Sequence, residues 1–242
     1  MLFKHDPERS RRITMNKIKQ KKIIGILGGM GPQASSRLVQ ILVDLSAKEF
    51  GAKNGDEFPE IVLDSIPVPD FIANKKNKKA ALEMLKQRVK QMDTMQVGIF
   101  AIACNTAHVL LNQLQAVSKA PFVSMVEEVA KEVKRQGVKK VGLLASPTTF
   151  KSGIFQKDFK SIIQPSKKEQ VILEKIIRKV IAGEIKKSDK LKLVEIARSL
   201  KKKGAQGIIL GCTELSLIFP KKFEIPVFDS LEILARALLD RL

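Results

Sequence analysis

The sequence predicts an α/β protein of two pseudo-symmetric domains, each a parallel sheet flanked by helices, with a cleft between them. Three observations carry that expectation. Short apolar runs bounded by Gly or Pro alternate with longer stretches of helical periodicity, the pattern of βαβ units and parallel sheet. The second half of the chain echoes the first at three places. The length of 242 residues, 44% of them hydrophobic, suffices for a sizeable interior and argues against disorder.

Residues 1–22 carry eight Lys or Arg and no apolar core of a secretory signal, so they predict a flexible basic leader; Met15 is a second candidate start. Strand-like runs follow at 23–27, 61–65, 97–103, 122–124, 141–145, 207–210 and 227–229. Amphipathic stretches at 35–48, 79–95, 124–135, 170–181, 191–202 and 231–239 read as helices. Within this series, Ile24-Gly25-Ile26-Leu27-Gly28 returns as Val141-Gly142-Leu143-Leu144-Ala145, 117 residues on. The run 99–106, ending Ala103-Cys104-Asn105-Thr106, returns 108 residues later as 207–214, ending Gly211-Cys212-Thr213-Glu214. Pro121-Phe122-Val123-Ser124 likewise matches Pro226-Val227-Phe228-Asp229. Each half thus has an opening strand, a strand ending in a cysteine, and a Pro-led strand.

The composition narrows the function. Apolar stretches of about ten residues fall short of the roughly 20 needed to span a bilayer, so no membrane role is expected. Two cysteines cannot form a disulfide framework and are read as free thiols of a soluble, cytoplasmic protein. The net charge of +19 comes from many short lysine clusters, without Trp or Tyr for base stacking. That charge reads as a solvated surface; nucleic acid is a disfavoured partner, and steering of an anionic ligand is the alternative.

The chemistry centres on Cys104 and Cys212. Ligands of open α/β sheets bind at the carboxyl ends of strands, where both cysteines lie, so a cleft between the domains places the thiols face to face. Each precedes residues that favour a helix start, where backbone N–H groups favour anions and lower a thiol's pKa. Two thiols on opposite sides of one ligand suit proton removal from one face and delivery to the other. The alternative is a pair of inert buried cysteines. Two Cys and two His are too few for a metal site without carboxylates, so none is expected. The loop Gly28-Gly29-Met30-Gly31-Pro32 allows close backbone approach to an anion but lacks the dinucleotide spacing, so no nucleotide cofactor is expected.

These segments resemble the aspartate/glutamate racemase family, with the aspartate racemase branch nearest. The motifs are Gly-Ile-Leu-Gly-Gly-Met-Gly-Pro at 25–32, Ala-Cys-Asn-Thr-Ala-His at 103–108 and Gly-Cys-Thr-Glu at 211–214; the likeness runs from Ile23 to the C-terminus. The resemblance implies cofactor-independent racemisation of an amino acid through Cys104 and Cys212, two α/β domains, and commonly a homodimer. It implies domains of 23–120 plus 225–242 and of 121–224, the last helix returning to the first domain. Asn105, Thr106 and Thr213 would bind the substrate carboxylate, by side chain or backbone N–H, Met30 would line the pocket, and Thr149 and Ser152 match further pocket positions. His108 and Glu214 would support the reacting groups from behind, His108 through a hydrogen bond at a helix start rather than by direct catalysis.

The chain departs from the family pattern at two places. Phe71 follows Pro69-Asp70 where the aspartate racemases carry Arg, and Ile181 stands in Val180-Ile181-Ala182-Gly183 where a Lys is usual. Lys179 is the nearest lysine that could reach in. Losing both cations removes charge-assisted hydrogen bonds to an acidic side chain, so Phe71 and Ile181 predict a pocket altered away from acidic substrates. The competing expectations are an isomerase or decarboxylase of a small carboxylic acid on the same scaffold, and a non-catalytic, lysine-rich binding protein.

Overall fold

The computed structural model describes residues 22–71, 75–159 and 161–242. Apart from Lys22, the predicted leader lies outside the described residues. In the first sheet β1 (Ile23–Gly28) and β3 (Val97–Ile102) are central, with β2 (Ile61–Ser65) and β4 (Phe122–Val123) at the edges, in the order β2-β1-β3-β4. The second sheet repeats that order as β6-β5-β7-β8, with β5 (Val141–Leu144), β6 (Ile162–Ile163), β7 (Gly207–Leu210) and β8 (Val227–Asp229). All six pairings are parallel. Both sheets are flanked by helices, as the alternating pattern predicts. The two-residue β6 was too short for periodicity to reveal.

Alternation along the buried strands sends neighbouring side chains to opposite faces. On one face, Ile24 and Ile26 of β1 pack with Leu38 and Leu42 of α1 (Pro32–Lys48). On the other, Phe100 and Ile102 of β3 pack with Leu85 and Val89 of α2 (Lys78–Thr94). A short α3 (Leu111–Gln115) completes that side.

The halves then exchange helices. After β4 the chain crosses over, and α4 (Met125–Arg135) lays Val126, Val129 and Val133 against Val141, Leu143 and Ile209 of the second sheet. After β8 it crosses back, and α8 (Ser230–Leu239) lays Leu231, Leu234 and Leu238 against Ile24 and Ile26 of the first. Equivalent caps start the two helices: Ser124 Oγ accepts from the Glu127 N–H, and Asp229 from the N–H groups of Leu231 and Glu232.

Each Pro-led strand pairs within the sheet that precedes it in the chain. Phe100 N–H donates to Pro121 O and Ile208 N–H to Pro226 O, which ties each Pro-led strand to its own sheet. Thus 122–123 belongs with the first sheet and 227–229 with the second.

Between β5 and β7 run α5 (Pro147–Ser152), α6 (Lys167–Ala182) and α7 (Lys187–Lys202). The helix expected from 170 begins a turn earlier, because Ser166 and Glu169 form a reciprocal capping box: Ser166 N–H donates to Glu169 Oε2 at 2.6 Å, and Glu169 N–H to Ser166 Oγ at 3.3 Å.

Candidate active site

Cys104 lies two residues beyond β3 and Cys212 two beyond β7, at equivalent places in the two halves. Each opens a five-residue 3₁₀ turn, Thr106–Leu110 and Thr213–Leu217, rather than a long helix. Both thiols are buried, and both line one cavity of about 230 Å³ between the halves.

The expected low thiol pKa is not what this environment produces. Burial pushes Cys104 up to about 12, the neighbouring Glu214 charge adds to the rise, and the Ala107 and Thr106 N–H groups and the Thr106 hydroxyl pull the other way. Cys212 is pushed well above its ordinary value, by burial first and by Glu214 next. A short 3₁₀ turn offers a few local donors, which do not outweigh loss of water around a thiolate.

Glu214 is the charged group nearest this chemistry. Its Oε2 accepts from Cys212 Sγ at 3.0 Å and from Thr213 Oγ1 at 3.2 Å, while Oε1 is buried without a partner. Burial raises its pKa. The glycine loop makes room for it: a Cβ on Gly31 would stand 1.9 Å from Oε1. Two residues earlier, Gly29 has φ +85°, and a Cβ there would meet Ile66 O at 2.2 Å. So the backbone demands glycine at 29, while at 31 a side chain would push the Glu214 carboxylate aside.

Asn105 points its amide nitrogen at Ser230 Oγ (2.9 Å), and Ser230 Oγ–H donates to Leu210 O (2.8 Å). The hydroxyl has one hydrogen, already given to Leu210, so it must accept from Asn105, which fixes the amide orientation. Asn105 Oδ1 is left buried and unpartnered. The side-chain donor expected here for a carboxylate is therefore committed elsewhere; the Asn105 backbone is a separate matter.

Of the residues singled out from the sequence, Met30, Phe71, Asn105, Thr106, Ile181, Thr213 and Glu214 line the cavity with the two cysteines. Thr149 does not reach it. It is fully buried behind the wall, its hydroxyl 2.8 Å from Thr106 Oγ1 and 3.0 Å from Ser146 Oγ, and the lining is supplied by Ser146 and Thr148. Ser152 donates to Thr149 O at 2.7 Å and faces a different, open depression.

His108 holds structure together. Met125 N–H donates to Nε2 at 3.0 Å, so the proton sits on Nδ1, which lies 2.9 Å from Cys104 O. Both ring nitrogens are used, and burial lowers the pKa to about 4. The neutral ring thus ties the turn after Cys104 to the first residue of α4.

Sequence reading missed the cavity's cation. Arg178 of α6 lines the wall, 3.7 Å from Asp70 and 3.4 Å from Glu174. Its neighbour Lys179 instead reaches Asp189 at 2.8 Å and does not line the cavity. The helical repeat explains the difference: Glu174, Ile177, Arg178 and Ile181 recur at three- and four-residue steps on one face of α6, whereas Lys179 is turned toward α7. Gln33 Nε2 donates to Ile181 O at 2.7 Å, a second link across the mouth.

With this geometry in hand, known proteins can be set beside the chain. The broad specificity amino-acid racemase RacX of Bacillus subtilis is 29% identical over 228 residues, 89% of this chain and 96% of that protein. The Picrophilus torridus aspartate racemase superposes with a TM-score of 0.80 at 29% identity, covering 91% of this chain and 94% of that one. An aspartate racemase homologue from Pyrococcus horikoshii gives 0.78 at 29% identity, covering 92% and 99%. The class is therefore that of the two-domain α/β racemases, which are isomerases. More particularly, the chain belongs to the Asp/Glu/Hydantoin racemase family, whose sequence profile matches residues 27–238.

Proposed function

We propose that this chain racemises an α-amino acid without a cofactor, using Cys104 and Cys212 as opposed acid and base. The supporting observation is that two thiols from equivalent positions in the two halves line one small cavity. One cysteine, as thiolate, takes the α-proton; the resulting carbanion takes a proton from the other, which is left as thiolate. A turnover therefore exchanges the roles of the two cysteines. The backbone N–H groups at the start of the two 3₁₀ turns, at Thr106 and Thr213, are the proposed carboxylate donors, since the Thr213 hydroxyl hydrogen is given to Glu214.

The pocket favours an uncharged side chain over an acidic one. Phe71, Ile177 and Ile181 supply apolar wall, and Arg178 already faces Asp70 and Glu174. An acidic side chain would compete with two carboxylates for that guanidinium. The broad specificity of the relative RacX accords with a pocket not committed to aspartate or glutamate. We also propose a cytoplasmic homodimer. Among the described residues no helix is long and apolar enough to cross a membrane.

Proton NMR of the reduced protein in D₂O with acidic and neutral amino acids tests the proposal. Loss of the α-proton signal, abolished in Cys104→Ser and in Cys212→Ser, is expected, fastest with neutral side chains. Exchange that survives both substitutions, or none with any amino acid, overturns it.

A further inference from the structure

The residue four after Cys104 is His108 and the residue four after Cys212 is Ser216, unlike in size and chemistry. Yet both bond to the start of an exchanged helix. His108 Nε2 accepts from the N–H of Met125, the first residue of α4, at 3.0 Å. Ser216 Oγ–H donates to Oδ1 of Asp229, the N-cap of α8, at 2.6 Å. Since α4 packs on the second sheet and α8 on the first, each cysteine's turn is fastened to a helix that the opposite half holds. The difference in residue type has a reason: the group on offer is a backbone N–H in one case and a carboxylate in the other, so one partner must accept and the other donate.

We infer that Ser216 and Asp229 are positioning residues for Cys212, their bond setting where that thiol stands relative to Cys104; this rests on the proposed role of the two cysteines as acid and base. Capping alone does not call for Ser216, because Asp229 Oδ1 already accepts from the N–H groups of Leu231 and Glu232. The 2.6 Å length is that of a hydroxyl given to a carboxylate, a stronger bond than one between neutral groups, and Ser216 is only 8% exposed. Inside the turn, Leu215 N–H donates to Cys212 O at 3.0 Å, and Glu214 Oε2 holds the Cys212 thiol. Ser216 thus anchors the far end of a five-residue segment whose near end is the thiol. The residue after Asp229 extends the strut: Ser230 bonds to Asn105, next to Cys104, and to Leu210 O, two residues before Cys212. The start of α8 therefore touches the segments that carry both cysteines.

The test uses the full, reduced chain and two readouts, the kinetics of α-deuterated L- and D-enantiomers of leucine and aspartate, and iodoacetamide labelling mapped to each cysteine. In Ser216→Ala, kcat should fall by about 10–100-fold with KM little changed, the effect of a misplaced reacting group. Only the step at Cys212 is slowed, so the α-deuterium isotope effect should rise for the enantiomer whose proton Cys212 takes and fall for the other. Labelling should shift several-fold towards Cys212, which is no longer held against Glu214. Ser216→Thr, which keeps the hydroxyl, should restore both readouts. Asp229→Asn keeps the cap and an acceptor without the charge, so it should give the same split in weaker form, and it serves where the alanine variant folds poorly. An equal loss without a split and with an unmoved labelling ratio would show a merely structural role, and an unchanged kcat would show none; either overturns the inference. A wild-type chain that exchanges no amino acid's α-proton overturns the proposed racemisation instead, and the labelling ratio then decides the placement of Cys212 by itself.

Discussion

The Cys212 thiol hydrogen points at Glu214, with Sγ 3.0 Å from Oε2, inside a wall where both side chains are buried. A carboxylate at that range stabilises the thiol over the thiolate, and it acts on Cys104 as well. Cys104 has the N–H groups of Thr106 and Ala107 in front of it, so it should ionise before Cys212. Alkylation by iodoacetamide, which needs the thiolate, should therefore label Cys104 first and accelerate steadily as pH rises from 7 to 10. Glu214→Gln should speed alkylation of both cysteines several-fold at a fixed pH. Peptide mapping by mass spectrometry reads each site; slower labelling in the variant would contradict the assigned effect of the carboxylate.

His108 couples stability to pH. Its folded value near 4 lies below the ordinary 6.5. As pH falls, the unfolded chain takes up the proton first, so the contribution of the neutral ring is complete above about pH 6.5. It is lost between 6.5 and 4, about 3 kcal/mol in all. Urea unfolding at pH 7 and pH 4.5 should show a larger drop for the wild type than for His108→Gln. An equal drop would mean that the ring titrates normally in the folded chain.

Much of this arrangement is legible in the sequence, and the reasons are physical. Short buried strands and their repeat at 24–28/141–145 and 99–106/207–214 give the two sheets, because parallel strands covered on both faces read as continuous apolar runs. The cysteines fall at strand ends, so their meeting in one cavity follows from the topology. What a linear reading does not give is direction around a helix whose register is uncertain by one residue. That single step separates Lys179, bonded to Asp189, from Arg178, on the cavity wall. Nor does it give which atom of a side chain is spent: Asn105 looks like a donor until Ser230, 125 residues away, claims its nitrogen.

Phe71 is 5% exposed and shares a cluster with Leu27, Ile66 and Cys104, so it is an apolar wall of the site as well as part of the core. In Phe71→Arg the long stem can follow the same wall and present its guanidinium to the cavity. The ratio of aspartate to leucine exchange should rise by about 10–100-fold, the worth of a charge-assisted pair. A folded variant with an unmoved ratio, measured by α-deuterium incorporation, would show that Phe71 does not govern side-chain choice.

Ser230 joins the two halves at the floor of the site. Its hydroxyl, fully buried at the start of α8, accepts from Asn105 after β3 and donates to the Leu210 carbonyl at the end of β7. Removing it leaves a buried amide nitrogen and a buried carbonyl short of partners, at a cost of about 1–3 kcal/mol. It also frees the Asn105 amide to turn over, so that nitrogen and oxygen can exchange places. Ser230→Ala should therefore lower the unfolding free energy by that amount and raise KM for amino acids more than it lowers kcat, since Asn105 lines the cavity and loses its fixed orientation. Ser230→Thr retains the hydroxyl and should restore KM if the added methyl is accommodated. A stability loss in Ser230→Ala with KM unchanged would confine Ser230 to holding the halves together, and would separate that task from the orientation of Asn105.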